Sequence, residues 1–420
     1  MGGSGNRVNS DNLGTNLFRI PVMDNSEKCD SIKRIVHNVL ILNPGSSSLK
    51  FRLYSGKNIL LDEIIEEIKG SFIPASNEIL KRINKNSPEK ISKVVYRIVH
   101  GQNMPSPMPL DEQVLKRIIS LSPLAPLHSK AALEVINFFM KKINARHIAC
   151  FDTSFHKTIP EFAGTYPLPS SLSKKANIKR YGFHGLSHQS MFKEVEKVSG
   201  KKYKRVISCQ LGNGASICAI KDGKSIDTSM GFTPLEGLMM GTRSGSIDPA
   251  IISHICRKEK INVEKALLIL QEESGLKGIA GTSNVRQILE NEKNGDKKAK
   301  LALDMFSYIA KKYIGSYIAA MGGVDLIVLG GGISRSPKIR KRILSGLDEL
   351  GISLKEVSNV SASVLKKSQT NSVLVKDSKN PCKNSSDSQY IPSKISSGKV
   401  EVWVLETDEQ KYMFEATQHL

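Results

Sequence analysis

Residues 39–54 read VLILNPGSSSLKFRLY, and no other segment of the chain says more about its fold. The first four residues are all apolar, as in a buried strand, and residues 49–54 alternate between apolar and polar side chains, as in a strand with one buried face. The turn between them, residues 43–48, is rich in glycine and serine, so it offers backbone N–H groups and hydroxyls to phosphate oxygens. The segment therefore predicts a β-hairpin with a phosphate-binding turn.

The same design recurs in the second half of the chain. An apolar run at residues 206–209 is followed by the turn QLGNGAS, residues 210–216, and by a second apolar run at residues 217–220. A third glycine-rich turn, residues 330–332, follows the apolar run 325–329. The repetition favours a duplicated architecture that binds phosphate between two lobes, but two ordinary β-hairpins would give the same pattern.

Between these turns, short β-type runs alternate with helical patterns, which favours an α/β fold. Helical periodicity predicts helices at residues 111–121, 129–143, 188–198, 262–273, 298–321 and 337–349. Two segments lack such periodicity. Residues 1–36 are rich in Asn, Ser, Gly and Asp and predict a flexible extension, whereas residues 366–399 are biased to Ser, Asn and Lys and predict a surface loop or insertion.

Composition excludes several classes of protein. The chain has 420 residues, of which 40% are hydrophobic and 24% charged, so a mainly disordered or fibrous protein is excluded. No apolar run approaches the roughly 18 residues of a membrane span, and no secretory signal pattern is present, so we expect a cytoplasmic protein. The six cysteines form no C-x-x-C pair, which argues against a zinc ribbon.

The chain is strongly basic, with a formal net charge of +21. Such a charge suits nucleic acid, anionic lipid or a negatively charged small substrate. The basic residues are spread along the chain and aromatic residues make up only 6%, which is poor material for stacking bases. We therefore expect neither nucleic acid nor a membrane as a partner, and the charge alone does not identify the substrate.

Short polar clusters lie between the apolar runs along the whole chain. They are residues 43–50, 97–101 (RIVHG), 124–128 (LAPLH), 151–156 (FDTSFH), 181–185 (YGFHG), 211–214 (LGNG), 227–237 (DTSMGFTPLEG), 240–245 (MGTRSG) and 407–409 (TDE). In this order the chain resembles the acetate kinase family, the acetate and propionate kinases, from about residue 39 to residue 413. The segment 227–245 is the most specific part of the resemblance.

The resemblance implies the α/β fold of the acetate and sugar kinase, heat-shock protein and actin superfamily, with two ribonuclease-H-like lobes around a nucleotide cleft. Residues 37–155 would form the first lobe, joined by a C-terminal helix at about residues 407–420. Residues 156–406 would form the second lobe, with the insertion at 366–399. The implied reaction is reversible transfer of the terminal phosphoryl group of ATP to acetate by direct in-line attack, giving acetyl phosphate and ADP. Mg²⁺, with Mn²⁺ as an alternative, and a homodimer are also implied.

The resemblance also implies roles for individual residues. Positions that handle the carboxylate and the phosphoryl group in transfer match Arg97, His128, Asp152, His184 and Arg243. Metal-binding positions match Asn43 and Glu409. A small apolar pocket for the acyl methyl, beside Arg97, matches Val99, Leu127, Phe183 and Pro234. Nucleotide-binding positions match Ser46, Ser48, Lys50, Gln210, Leu211, Gly212, Asn213, Gly214, Asn284, Val285, Arg286, Gly331, Gly332 and Ile333.

These residue types suit the implied chemistry. A small carboxylic acid has a pKa of about 4–5, so the nucleophile is already ionised at neutral pH and needs no general base. The obstacle is charge repulsion between two anions, which arginines, a lysine and Mg²⁺ reduce. Without the resemblance, a structural ion pair between Arg97 and Asp152 would be the simpler interpretation, and Val99, Leu127 and Phe183 could be ordinary core residues.

Several positions depart from the family pattern: Gln102, Asn103, Ser129, Lys130, Leu186, Gln210, Ser246, Asn284, Ser334, Arg335, Ser336, Glu406 and Gln410. These changes spare the positions expected to handle phosphoryl transfer and touch the nucleotide side. We therefore expect weakened adenine-nucleotide affinity or another phosphoryl donor, with GTP and pyrophosphate as alternatives. Propionate kinase, another kinase or ATPase of the superfamily, and a non-catalytic nucleotide-binding regulator remain as competing functions.

Overall fold

The structure, a computed structural model, describes residues 1–2, 38–86, 89–362 and 392–420. The predicted flexible extension at residues 1–36 lies outside the described residues apart from residues 1 and 2. Most of the predicted insertion, residues 366–391, also lies outside them. Both therefore stay predictions.

The first of two mixed sheets has six strands in the order β3-β2-β1-β4-β6-β5. Its strands are β1 (Asn38–Pro44), β2 (Leu49–Ser55), β3 (Asn58–Ile65), β4 (Ile91–Ile98), β5 (Met108–Pro109) and β6 (Arg146–Phe151). Strands β1, β4 and β6 are parallel, and the others pair antiparallel. The quoted segment 39–54 thus folds as the β1–β2 hairpin in the middle of this sheet.

The second sheet has the order β11-β12-β10-β7-β8-β9. Its strands are β7 (Arg205–Leu211), β8 (Ala215–Lys221), β9 (Lys224–Thr228), β10 (Leu326–Gly330), β11 (Ser393–Lys394) and β12 (Glu401–Val404). Strands β7, β10 and β12 are parallel, and the others pair antiparallel. Read from its other edge, this is the order and direction of the first sheet, so the duplication predicted from the two hairpins is confirmed.

The helices are α1 (Ile73–Asn86), α2 (Glu112–Ser120), α3 (Pro126–Lys142), α4 (Glu161–Gly164), α5 (Ser170–Lys175), α6 (Gly185–Ser199), α7 (Ala250–Glu259), α8 (Val263–Glu272), α9 (Gly275–Ala280), α10 (Val285–Lys293), α11 (Lys297–Met321), α12 (Pro337–Leu344), α13 (Glu356–Ser361) and α14 (Glu409–Ala416). The helices predicted at 111–121, 188–198, 262–273 and 298–321 are confirmed, with ends that differ by a few residues.

Three of the predicted boundaries are wrong. The helix predicted at 129–143 begins earlier, at Pro126, so His128 lies in its first turn. The helix predicted at 337–349 ends at Leu344, because the chain turns at Gly346, where a φ of 72° favours glycine. The irregular stretch predicted for 366–399 ends sooner than expected, since Ser393 and Lys394 pair with β12 and Ile395 is buried.

The C-terminal helix α14 packs on the first sheet although it follows the last strand of the second. Its Met413 and Phe414 are buried in one cluster with Val39 and Ile41 of β1. Just before α14 the side chain of Thr407 donates to Gln210 of the second sheet, whereas Asp408 accepts from Arg52 of the first. The chain therefore crosses from one sheet to the other between residues 407 and 408. These contacts support our proposal that residues 407–420 belong with the first lobe.

Candidate active site

Polar side chains gather where the three parallel strands of the first sheet end. Asn43 and Arg97 stand near the ends of β1 and β4, and Asp152 follows β6 directly. Because the carboxyl ends of parallel strands meet at one edge of a sheet, these residues become neighbours. The crossover into α14 adds Glu409, the first residue of that helix.

These four residues form one hydrogen-bonded network. Arg97 donates from Nε and Nη2 to the two carboxylate oxygens of Asp152, at 3.0 and 2.7 Å. Its Nη1 donates to Asn43 Oδ1 at 3.2 Å and to Glu409 Oε2 at 3.0 Å. Asn43 Nδ2 donates to the same Glu409 oxygen at 2.6 Å, and the hydroxyl of Ser187 donates to Glu409 Oε1. The guanidinium of Arg97 is thus fixed on two sides.

Burial and charge set the protonation of this network. Burial opposes ionisation of Glu409, but Arg97, Ser187 and Lys50 outweigh it and lower the pKa of Glu409 to about 2. Burial would likewise lower the pKa of Arg97, but the charges of Asp152 and Glu409 raise it above its ordinary value. Burial raises the pKa of Asp152, whose side chain is fully enclosed, in spite of its pairing with Arg97. Glu409 is therefore ionised, and Arg97 is a permanent cation.

Asp152 is enclosed behind Arg97. Its side chain has no exposed surface and both its oxygens accept from Arg97, so a direct part in handling the carboxylate and the phosphoryl group stays a prediction. The backbone N–H of His184 also donates to this carboxylate. Asp152 is therefore a positioning residue for Arg97 and His184, and the structural ion pair considered from sequence is part of the site.

His184 is held in an unusual backbone conformation directly before α6. Its φ of 58° and ψ of 22° lie in the left-handed region, which is uncommon for residues other than glycine. Such strain persists only where the surroundings impose it, and it is concentrated at functional sites. Asp152 contributes by accepting from the His184 N–H, and the backbone of Gly185 packs against the Asp152 carbonyl.

The second hairpin brings Arg243 to His184. A methyl group at Gly214 would lie 3.5 Å from both Arg243 Nη1 and His184 Nε2, so these two groups converge on the turn between β7 and β8. Arg243 donates at 3.4 Å to the carbonyl of Pro234, and among the described residues no carboxylate pairs with it. Burial lowers the pKa of this guanidinium below its ordinary value. A half-buried arginine without a carboxylate partner is suited to bind an anion.

Two histidines next to these cations are neutral. Burial, with Arg243 and Arg97, lowers the pKa of His128 to about 3. Burial, with the charges of Arg97, Arg243 and His128 outweighing that of Glu409, lowers the pKa of His184 to about 3 as well. At neutral pH each imidazole can therefore donate a single N–H without adding charge.

The residues predicted for an acyl pocket are partly brought together. Val99 and Phe183 are buried in one apolar cluster with Ala125. Pro234 is half-buried and connects to this region through its carbonyl, which accepts from Arg243. Leu127 lies in the first turn of α3, and its side chain is outside the described structure. Val99 follows Arg97 by two residues in the chain, and the place of an acyl group beside it stays a prediction.

The second sheet contributes a cleft of about 350 Å³ at the ends of its parallel strands. The described residues that line it are Lys50, Gln210, Gly212, Gly331, Gly332, Ser334, Arg335, Val404, Leu405, Glu406, Thr407 and Glu409. Gly331 needs its φ of 84°, and a Cβ atom there would lie 2.5 Å from the carbonyl oxygen of Leu211. The cleft therefore joins the glycine-rich turn at 330–332 to Lys50 of the first hairpin.

Other predicted nucleotide residues lie around this cleft or away from it. Leu211 and Ile333 are buried behind its wall, and Asn213 and Gly214 form the β7–β8 turn beside Gly241. Ser46 is exposed and Ser48 half-buried on the β1–β2 turn. Asn284 caps α10 by accepting from the backbone of Arg286, and neither these two nor Val285 is among the described residues that line the cleft.

Three residues at the site were missed in the sequence: Ser187 donates to Glu409, and Ser216 and His188 lie behind His184. A pair between Glu406 and Arg335 at the cleft was missed as well. The polar cluster identified in the sequence at residues 181–185 ends two residues before Ser187 and three before His188, so neither residue was included. Both are on the first turn of α6, where every residue from Gly185 to His188 is buried. Arg335 and Glu406 had been noted as departures, but nothing in the sequence indicated that they pair.

The site residues fit a magnesium ion that arrives with a nucleotide. Asn43 supplies an amide oxygen and Glu409 an ionised carboxylate, and Mg²⁺ typically takes one or two such ligands together with substrate phosphates and water. No group of three or more His, Cys, Asp or Glu side chains in the described part of the chain is placed to hold a metal by itself. The donor set therefore suits a metal bound jointly with phosphate.

Comparison with known proteins identifies the family of the chain. The family model of the acetokinase family matches residues 69–382. The acetate kinase of Sulfurovum sp. (strain NBC37-1) is 42% identical over 77% of this chain and 90% of its own length. The acetate kinase of Thermoanaerobacterium thermosaccharolyticum is 43% identical over 76% of this chain and 89% of its own length. The chain belongs to the acetate kinase family.

Solved structures place the fold in the same family. The acetate kinase of Porphyromonas gingivalis superposes with a TM-score of 0.77 at 32% identity, covering 91% of this chain and 99% of that one. A propionate kinase from Francisella tularensis gives a TM-score of 0.78 at 32% identity, covering 91% and 100%. The two-lobe α/β fold and a phosphotransferase activity with a carboxyl acceptor follow from membership of the acetate kinase family. Among the described residues, no helix is long and apolar enough to span a bilayer.

Proposed function

We propose that this protein transfers the terminal phosphoryl group of ATP to acetate, reversibly, giving acetyl phosphate and ADP. The observation that carries the proposal is the half-buried Arg243, without a carboxylate partner among the described residues, beside His184. Phe183, the residue before His184, is buried in one apolar cluster with Val99, and we place the acyl methyl against these two side chains. A cation with apolar side chains nearby suits a ligand with one carboxylate and one methyl group.

The reaction needs positioning more than proton transfer. One oxygen of the acetate carboxylate attacks the terminal phosphorus, a new P–O bond forms, and the bond to the β–γ bridging oxygen breaks, leaving its electron pair on ADP. Acetate is ionised at neutral pH, so no proton has to be removed. The protein's task is to hold two anions together in line and to stabilise the transferred group.

Arg243 and Arg97 have different tasks in this proposal. Most N–H groups of Arg97 donate to Asp152, Asn43 and Glu409. Arg97 therefore supplies a rigidly held positive charge near the position proposed for the acetate carboxylate. Arg243 has its planar fork available for the oxygens of acetate or of the transferred phosphoryl group. We assign His128 and His184 as neutral donors to phosphoryl oxygens.

Asn43 and Glu409 would hold Mg²⁺ together with the nucleotide phosphates, and Mn²⁺ is the alternative metal. When bound, such an ion neutralises phosphate charge. Lys50 and the Gly331–Gly332 turn line the adjoining cleft and would contact the phosphate chain of ATP or ADP. The remaining predicted nucleotide residues, including Ser46, Ser48 and Asn284 to Arg286, stay predictions. A homodimer and a cytoplasmic location are also predictions, and sedimentation of the purified protein tests the first.

The proposal is tested in the reverse direction, where background is low. Full-length protein is supplied with acetyl phosphate, ADP and Mg²⁺, and ATP is detected by luciferase luminescence. We expect ATP formation that falls by about 100-fold or more in Arg243→Ala, because a preorganised cation at the transferred group is lost. Arg117→Ala, at an exposed arginine of α2, is the matched control and should keep its activity. Folded wild-type protein that forms no ATP would overturn the proposal.

A further inference from the structure

A line of buried polar groups runs from His184 away from the site. His184 Nδ1 lies 2.8 Å from Ser216 Oγ, and the same hydroxyl lies 2.9 Å from His188 Nε2. On the far side, His188 Nδ1 lies 2.9 Å from Ser208 Oγ. Ser208, Ser216 and His188 have no exposed surface, so the order is His184, Ser216, His188, Ser208.

The protons in this line cannot be arranged freely. The Ser216 hydroxyl carries one proton, so it donates to one imidazole nitrogen and must accept from the other. Burial lowers the pKa of His188 well below its ordinary range, and that of His184 is lowered too, so each ring carries one N–H. Two arrangements remain, and they run in opposite directions along the line.

The ligand on the open side of His184 selects between the two arrangements. Phosphoryl oxygens only accept hydrogen bonds, so His184 must carry its proton on Nε2, the nitrogen that faces Gly214 and Arg243. His184 Nδ1 then accepts from Ser216, Ser216 accepts from His188 Nε2, and His188 Nδ1 accepts from Ser208. The opposite arrangement would point a nitrogen lone pair at anionic oxygens.

We propose that His188 and Ser216 are positioning residues that hold His184 in its Nε2–H tautomer when phosphate is bound. Only the direction of the line rests on the proposed function; its members and distances do not. The role resembles that of groups behind metal-binding or catalytic histidines, which fix ring orientation and tautomer and whose loss costs about 10- to 100-fold in activity.

The chain offers a matched control in a second buried serine–histidine pair. His156 Nδ1 lies 2.9 Å from Ser225 Oγ, and its Nε2 lies 2.9 Å from the carbonyl oxygen of Phe183. Because a carbonyl only accepts, this ring keeps its Nε2 proton without help from the serine. Ser225→Ala therefore removes a hydroxyl as deeply buried as that of Ser216 but leaves the line behind His184 intact.

The experiment reads the tautomer directly. Full-length protein labelled with ¹⁵N-histidine and supplied with ATP and Mg²⁺, without acetate, is examined by long-range ¹H–¹⁵N correlation spectroscopy, and His184→Gln identifies the signals of His184. We expect the Nε2–H pattern at His184 in the wild type and in Ser225→Ala, and a mixture of tautomers in Ser216→Ala. We expect kcat to fall about 10- to 100-fold in Ser216→Ala with KM values changed less than about threefold.

Two substitutions of His188 distinguish its hydrogen bond to Ser216 from its contribution to packing. His188→Gln keeps an N–H that can donate to Ser216, whereas His188→Leu fills the space without a donor, so the glutamine variant should recover much of the kcat lost in the leucine variant. An Nδ1–H tautomer at His184 in the wild type, or an unchanged tautomer in Ser216→Ala, would overturn the inference. Wild-type turnover tests the proposed function separately, so a failure of one is visible without the other.

Discussion

Arg97 Nη1 lies 3.0 Å from Glu409 Oε2, although 312 positions separate the two residues in the chain. The contact joins the end of β4 to the first residue of α14, which the chain reaches only after completing the second sheet. The same contact pairs the permanent cation Arg97 with the carboxylate of Glu409, which we assign as a ligand of the metal. Folding stability and catalysis therefore depend on the same network, and unfolding titrations and kinetics measure the two effects separately.

Removing Arg97 should destabilise the fold as well as the reaction. Arg97→Ala leaves the fully buried carboxylate of Asp152 without its partner, and breaking a buried pair in this way costs about 3–5 kcal/mol of unfolding free energy. Urea or guanidinium titration measures this loss, and adding Asp152→Asn should restore part of it. Arg82→Ala, which breaks half-exposed pairs with Glu63 and Glu78, is the control at about 1 kcal/mol. Equal losses in the two arginine variants would contradict the account.

Neutralising Glu409 should affect metal dependence more than folding. Glu409→Gln keeps the shape that Asn43 and Ser187 contact but removes the charge. We expect the Mg²⁺ concentration for half-maximal activity to rise about tenfold and kcat to fall about 100-fold. Glu415→Gln, at an exposed position of the same helix, should behave as wild type. An unchanged Mg²⁺ dependence would remove Glu409 from the metal site.

The buried histidines predict how stability varies with pH. Burial lowers the pKa of His100 and of His156 to about 4, and those of His128 and His184 lie near 3. Below pH 6.5 the unfolded chain binds protons at these residues while the folded protein does not. Stability contributed by neutral burial is therefore present above pH 6.5 and is lost as pH falls towards 4, by about 1.4 kcal/mol per pH unit for each histidine.

Guanidinium unfolding at pH 7, 6 and 5 measures this dependence. His156→Gln removes one buried titrating group and should flatten the fall in unfolding free energy between pH 6 and pH 5. His254→Gln, at an exposed histidine of α7, is the matched variant and should leave the slope unchanged. A fall of the same steepness in both variants would show that the acid sensitivity has another source.

Enlarging the apolar pocket should change the preference between acids. Val99 is buried with Phe183 and Ala125, so Val99→Ala opens space for one more methylene. Since a methylene is worth about 1–3 kcal/mol in such a pocket, we expect kcat/KM for propionate relative to acetate to rise about tenfold. Val114→Ala is the control: it removes the same two methyl groups from a buried position in the cluster around the first sheet, away from the site. A ratio that moves equally in both variants would exclude Val99 from the pocket.

The pair of Arg335 and Glu406 should tune nucleotide affinity in opposite directions. Both line the cleft, and their side chains are about equally exposed at 41% and 39%. Near an anionic nucleotide, Glu406→Gln should lower the KM for ATP about threefold and Arg335→Gln should raise it by a similar factor, with the double variant near wild type. Kinetics with ATP and GTP measure this. Shifts of the same sign in both single variants would contradict an electrostatic role.

The fold could be predicted well from sequence because its decisive signals are local. The β1–β2 and β7–β8 hairpins each lie within one continuous segment, and α11 shows its buried face at helical spacing from Ala299 to Met321. Other elements were not predicted, among them helix α1, which buries Ala75, Ile79 and Ile83 at helical spacing. Helix α10 buries only Ile288, and β11 has two residues that gain meaning only by pairing with β12.

In the candidate site, too, residues in local motifs could be predicted and contacts between distant residues could not. Arg97, His184, Arg243 and Glu409 could be predicted because each stands in a short motif of the family. The hydrogen bonds that fix them could not, since Ser216 and Ser187 are ordinary serines until folding brings them to His184 and Glu409. The full enclosure of Asp152 was also invisible in sequence, because burial of a charge depends on partners from distant strands.

Hydroxylamine traps the acyl phosphate as it forms and so reports phosphoryl transfer to the carboxylate itself. Full-length protein is incubated with Mg²⁺, ATP, hydroxylamine and either acetate, propionate or butyrate, and the acyl hydroxamate is quantified. We expect acetyl hydroxamate from the wild type and from Arg117→Ala, and about 100-fold less or none from Arg243→Ala. Folded wild-type protein that binds nucleotide but forms no hydroxamate from any of the three acids would contradict the proposed function.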